Sequence, residues 1–273
     1  MKLRFLLTLL CSVAAELPAP AGAQTAEERR QLDWALERGR LLFALDRAAW
    51  VATDDMMERI GDPQGAGVRG YVVDRDASGL VAIFYARDGE RYVTAYRARI
   101  GSRGVQDPQV FAGAARPELT PGQSRLARAL EWVRSNMQGF PGCIRQPFNV
   151  AIVPPATADG PIDVYVMTPQ VDDKSVPLGG HYRVTLNSAG QEVSRRSFAR
   201  TCLMVPLQIE GPATVGGLMV SHLLDPVPTE VHVFSSMAVN IPIFVIIPEP
   251  RSLWQVSGTQ IELMEAGPQQ GRR

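Results

Sequence analysis

The three histidines of this chain of 273 residues, His181, His222 and His232, all fall between positions 181 and 232. Two of them bracket the segment Ser221-His222-Leu223-Leu224-Asp225-Pro226-Val227-Pro228-Thr229-Glu230-Val231-His232. If that segment is a hairpin centred on Val227, His222 and His232 stand opposite each other on one face, with Cβ atoms about 5 Å apart. Two imidazoles so placed can share a divalent cation. Glu230 or Asp225 would then add a carboxylate ligand or base, and His181 a third nitrogen from a neighbouring strand. Zinc bound by His181, His222, His232 and Glu230, with an open water position, is the donor set of a metal-dependent hydrolase. The competing reading starts from Pro226 and Pro228: if they carry the chain to another sheet, the histidines are ordinary polar packing. Ser221 and His222 do not form a nucleophile and base pair, because adjacent strand residues point to opposite faces. No catalytic residue is assigned.

Other patterns carry less chemistry. Gly65-Ala66-Gly67-Val68-Arg69-Gly70 has the glycine spacing of a dinucleotide-binding turn. That role needs a strand before the glycines and a helix after them, and here the order is reversed, so a loop is expected. A phosphate loop ending in Gly-Lys-Ser/Thr, a Gly-x-Ser-x-Gly elbow and a His-Glu-x-x-His helix are all missing from the sequence. Beyond the first 23 residues Lys174 is the single lysine, and it sits in the polar turn Val171-Asp172-Asp173-Lys174-Ser175, a solvated position unsuited to a nucleophilic amine.

The start of the chain reads as a secretory leader, residues 1–23: Lys2 and Arg4, an apolar run from Phe5 to Ala15, then Pro18, Pro20 and the small residues Ala21-Gly22-Ala23. The apolar run is too short to span a bilayer, and Leu10 before Cys11 does not fit lipoprotein processing. A periplasmic or secreted setting is therefore expected, with no membrane span after cleavage. Loss of the leader leaves two cysteines, Cys143 and Cys202, and in an oxidising compartment a bridge between them is expected, the alternative being two separate buried thiols. It also leaves 26 basic and 27 acidic side chains. So even a balance gives no general attraction for nucleic acid or an anionic membrane.

The positioning elements read as α+β. Leu32, Leu36, Phe43 and Trp50 recur at helical spacing within residues 25–59, with Gly39 as a point where the helix bends or breaks and Asp46 on the apolar side. An edge position accounts for Asp46, whereas a buried Asp46 would need a partner such as Arg47 or Arg97. Three strand-like runs follow, separated by Asp76-Ala77-Ser78-Gly79 and Arg87-Asp88-Gly89-Glu90, and predict an antiparallel meander. The expected organisation is a helix plus meander over 24–103, a linker over 104–122, a β-rich unit over 123–265 that starts with a helix at 123–137, and a disordered tail at 266–273. Ten short runs in the second half, 217–224 and 229–236 among them, predict a mainly antiparallel, sandwich-like arrangement.

At Gly179-Gly180-His181-Tyr182-Arg183-Val184 and from His222 to Phe234 the sequence resembles exported, signal-peptide-bearing proteins of alphaproteobacteria. The resemblance covers the C-terminal half and implies a cell-envelope setting without an activity. Two functions are carried forward: a noncatalytic protein that binds a partner or small ligand through its β-rich half, and the zinc-dependent hydrolase.

Overall fold

Thr25 opens the first helix, α1 (Ala26–Ile60), by a capping box: its side chain accepts from the Glu28 amide, and Glu28 answers to the Thr25 amide. In the computed structural model, which describes residues 24–77, 79–208, 214–249, 251–258 and 260–264, the helix runs unbroken for 35 residues. The leader at 1–23 and the tail at 266–273 lie outside the described residues. Leu32, Ala35, Leu42, Leu45, Ala49, Ala52 and Met56 form the buried stripe of α1, while Trp50 is 53% exposed.

Four strands follow as an antiparallel meander, β1 (Val68–Asp76), β2 (Gly79–Asp88), β3 (Arg91–Gly101) and β4 (Gly104–Val110). Residues 104–110, expected as linker, thus extend the sheet by a strand. Helix α2 (Pro121–Ser135) has its own capping box, Thr120 with Gln123. A second antiparallel sheet contains β5 (Asn149–Val153), β6 (Ile162–Met167), β8 (His181–Leu186) and β9 (Glu192–Ser197), in the order β5-β6-β8-β9. Among the described residues strand β7 (Ser175–Pro177) pairs with β10 (Met204–Pro206) alone. The last sheet orders β11 (Leu218–Ser221), β12 (Ile243–Ile247), β13 (Ser252–Val256) and β14 (Ile261–Met264).

Alternation assigns the faces. Val73, Phe84, Tyr96, Tyr165 and Met167 pack on α1, whereas Val72, Ile83, Val164 and Val184 pack on Leu126 and Leu130 of α2. One helix therefore covers one face of the first two four-stranded sheets and the other helix covers the opposite face. A third core surrounds Val220, Val245 and Trp254 of the last sheet.

Residues 229–236 are not a strand. Thr229 caps, and residues 230–236 lie in, α3 (Glu230–Val239), the crossover between β11 and β12, which pair in parallel. The other strand pairs are antiparallel, so the protein is α+β with one βαβ element inside it. Helix α3 crosses α1 at Gly39, where an added Cβ would stand 2.5 Å from Val233 Cβ and 2.6 Å from the Glu230 carbonyl. Glycine at 39 permits that close crossing and introduces no break. Cys143 and Cys202 lie at disulfide distance, with Cα atoms 5.3 Å apart. Closing a loop of this length, 59 residues apart in sequence, stabilises the fold by about 4 kcal/mol in the chain-entropy account. Among the described residues no helix is long and apolar enough to cross a membrane.

Candidate functional site

The end of β11 and the start of α3 bring His222 and His232 together, by a route different from the expected hairpin. His222 extends the parallel ladder, its amide donating to the Ile246 carbonyl at 2.8 Å. The chain then turns through Asp225, Pro226 and Pro228 to Thr229, the N-cap of α3. The two imidazole rings meet edge to face with centroids 4.8 Å apart.

Each ring is committed to a structural partner. His232 occupies the third helical position, where a capping box ordinarily has Glu or Gln. Its Nδ1 accepts the Thr229 amide at 3.0 Å, with Thr229 Oγ1 also at 3.0 Å. Because Nδ1 accepts, the proton of the neutral ring sits on Nε2. Burial, assisted by the neighbouring His222, pushes the His232 pKa down to about 3. His222 Nε2 lies 2.8 Å from Asp225 Oδ2, which also accepts from Arg196 Nη2 at 2.7 Å. Burial works to raise the Asp225 carboxyl, but the hydrogen bonds from His222 and Arg196 outweigh it and hold the group below its ordinary range.

Glu230 is buried, 1% exposed, and accepts on one oxygen from Tyr165 Oη at 3.0 Å and from Arg183 Nη1 at 3.2 Å. Burial raises its pKa and the Arg183 charge opposes the rise. The sheet register explains the convergence: Tyr165, Arg183 and Arg196 stand side by side on β6, β8 and β9 and face α1 and α3. This basic row receives the two carboxylates at the start of α3.

His181 stands at the start of β8 and acts on His232 through its charge, in the direction that lowers the His232 pKa. The Nε2 of His181 donates to the Pro177 carbonyl at 3.1 Å, its Nδ1 is buried without a partner among the described residues, and burial pushes its pKa down to about 4. Each member of the expected zinc set, His181, His222, His232 and Glu230, holds a hydrogen bond to a protein group. Among the described residues no group of three or more His, Cys, Asp or Glu is arranged to hold a metal ion. The lone pair that His232 would offer through Nδ1 already serves the α3 cap, and Glu230 Oε1 already holds a phenol and a guanidinium.

Above this network lies an open cleft of about 320 Å³, walled by Arg30, Trp34, Arg196, Asp225, Thr229 and Glu230. Trp34 is 40% exposed, and the guanidinium carbons of Arg38 and Arg183 lie 5.2 and 5.3 Å from its ring centroid. The sequence pattern pointed to neither Trp34 nor Arg196, and it offered Tyr165 only as a groove or core aromatic and Arg183 only as a polar-face residue of its strand. The available signal was the pair of acids flanking Pro226 and Pro228, which require counter-cations once buried.

No protein-family model, curated protein or solved structure matches this chain.

Proposed function

We propose that the protein is an exported, noncatalytic binding protein of the cell envelope, which holds a small ligand or a short segment of a partner against helix α1. The observation that carries this is the closure of the polar network. Asp225 holds His222 and Arg196, Glu230 holds Arg183 and Tyr165, and His232 holds the Thr229 cap, and together these contacts fix the start of α3. A hydrolytic centre needs a lone pair or an acidic proton free to act on substrate. What faces solvent instead is Trp34, flanked by guanidinium groups, an arrangement suited to contact by shape, stacking and charge. The leader-like start of the chain and the Cys143 and Cys202 pair at disulfide distance support the envelope setting.

Zinc analysis tests this reading against the hydrolase. After incubation with zinc and exhaustive dialysis, the mature protein is expected to retain far less than one equivalent, and His232→Ala to retain no less than wild type. About one equivalent in wild type, lost in His232→Ala, would replace the binding reading with the metal-dependent one.

A further inference from the structure

A second cleft, of about 810 Å³, opens on the middle of α1 and shares no wall residue with the first. Its apolar walls include Phe43, Tyr71, Phe148, Met167 and Phe234. Set among them is Asp46, which accepts from Asn149 Nδ2 at 3.3 Å. The nearest cation along the helix, Arg47, sits over Trp50, its guanidinium carbon 3.9 Å from the ring centroid. Among the described residues Asp46 forms no salt bridge, and the Arg47 charge offsets only part of the rise that burial imposes on it. The cleft thus holds a carboxylate in an aromatic setting with one amide donor and unused acceptor capacity, a combination that costs stability unless something else uses it.

We propose that this cleft binds an organic monocation, an ammonium group on an apolar or aromatic body, with the ammonium seated on the Asp46 carboxylate. Three donors on an ammonium match the open lone pairs, and the aromatic walls accept both the charge and the hydrocarbon. Of the charged residues on the walls, Asp46, Asp172 and Asp173 are acidic and Arg47 is basic, which disfavours an anion. The volume falls in the range of small-molecule sites.

The groups that face Asp46 are known element by element. Arg47 is on its own helix, Tyr71 on β1, Asn149 at the start of β5, and Asp172 and Asp173 on the segment before β7; α3 contributes only Phe234, Ser235 and Ala238. Tyr71 stays neutral, raised to about 12 by burial and by Asp46, with its hydroxyl donating to the Val150 carbonyl. Asp172 accepts from the Lys174 and Ser175 amides. Burial raises Asp46 to about 6, so the amine must compete with a proton below that pH.

This assignment adds a second ligand site, at a cleft separate from the Trp34 cleft that carries the binding-protein reading. Isothermal titration of the mature protein with 2-phenylethylammonium and with the neutral 2-phenylethanol tests it. At pH 7.5 the amine is expected to bind at least tenfold more tightly than the alcohol. Asp46→Asn, checked for folding by circular dichroism, should bring the two within about twofold. In wild type the amine affinity should fall about tenfold per pH unit below pH 6 while the alcohol affinity stays level. Equal binding of amine and alcohol, no amine binding at millimolar concentration, or a preference that survives both Asp46→Asn and acid pH would overturn the proposal. Those results would leave the binding reading standing, whereas a zinc centre dependent on His232 would remove that reading without touching this cleft.

Discussion

Acidification from pH 7 to pH 4 is expected to remove about 3 kcal/mol or more of native stability, and His232→Gln to recover a large part of the loss. His181 and His232 have native pKa values depressed to about 4 and about 3 from 6.5. Depression means that the unfolded chain binds the proton first. Their contribution to stability is present in full above pH 6.5 and is lost as pH falls towards the native values. Each can lose up to about 3 kcal/mol by pH 4, at 1.36 kcal/mol per unit. Asp46 works in the opposite sense. Its native value of about 6 stands above the ordinary 3.8, so its contribution is full below 3.8 and lost as pH rises through 6. Because that cleft is open, solvent screening leaves it the smaller effect. Glutamine at 232 keeps the capping-box acceptor and cannot titrate in this range. Urea unfolding at several pH values measures the effect. A wild-type stability that is flat from pH 7 to 4, or an acid limb unchanged by His232→Gln, would contradict burial of a neutral His232.

Truncation of Glu230 to alanine is expected to cost about 3 kcal/mol at pH 7, because it leaves Arg183 and the Tyr165 hydroxyl facing a void where a carboxylate stood. Glu230 is the first residue of α3 and ties that helix to the row on β6 and β8. Arg183→Ala should be damaging for the complementary reason, an uncompensated buried carboxylate. The double variant should lose clearly less than the sum of the singles, since the second change removes a group already stranded. For a chain of this size each kcal/mol lowers the thermal midpoint by about 2–4 °C. Additive single effects, or a cost below about 1 kcal/mol for Glu230→Ala, would mean that the ion pair does not hold α3 in place.

The elements differ in how plainly the chain announces them. Helices α1 and α2 carry an apolar stripe and a Thr cap with Glu or Gln three residues on, so both periodicity and capping point to them. The first three strands are marked by glycine-containing turns between β-branched runs. Strand β4, Gly-Val-Gln-Asp-Pro-Gln-Val, hides because it is a polar edge strand interrupted by Pro108, with Asp107 at φ 48°. Helix α3 hides because Glu230 through Ser236 are all buried, so no stripe is visible and its valines read as a strand. Its capping box is masked by a histidine in the glutamate position. That substitution is also why the site was half legible. Spacing brought His222 and His232 into register on a hairpin that does not exist, whereas the real contact depends on a parallel strand and a helix start. The carboxylates were visible, but their partners Tyr165, Arg183 and Arg196 come from three strands whose pairing no local pattern specifies.

The nitrogen resonances of His232 give the most direct test of the claim that the histidine cluster is structural and the protein acts by binding. In protein labelled with 15N at histidine, the account predicts a neutral His232 ring with the proton on Nε2. It also predicts no titration above about pH 4 and no change on adding one equivalent of zinc. A His232 that titrates near pH 6.5, or whose nitrogen shifts move together with those of His222 on zinc addition, would contradict it.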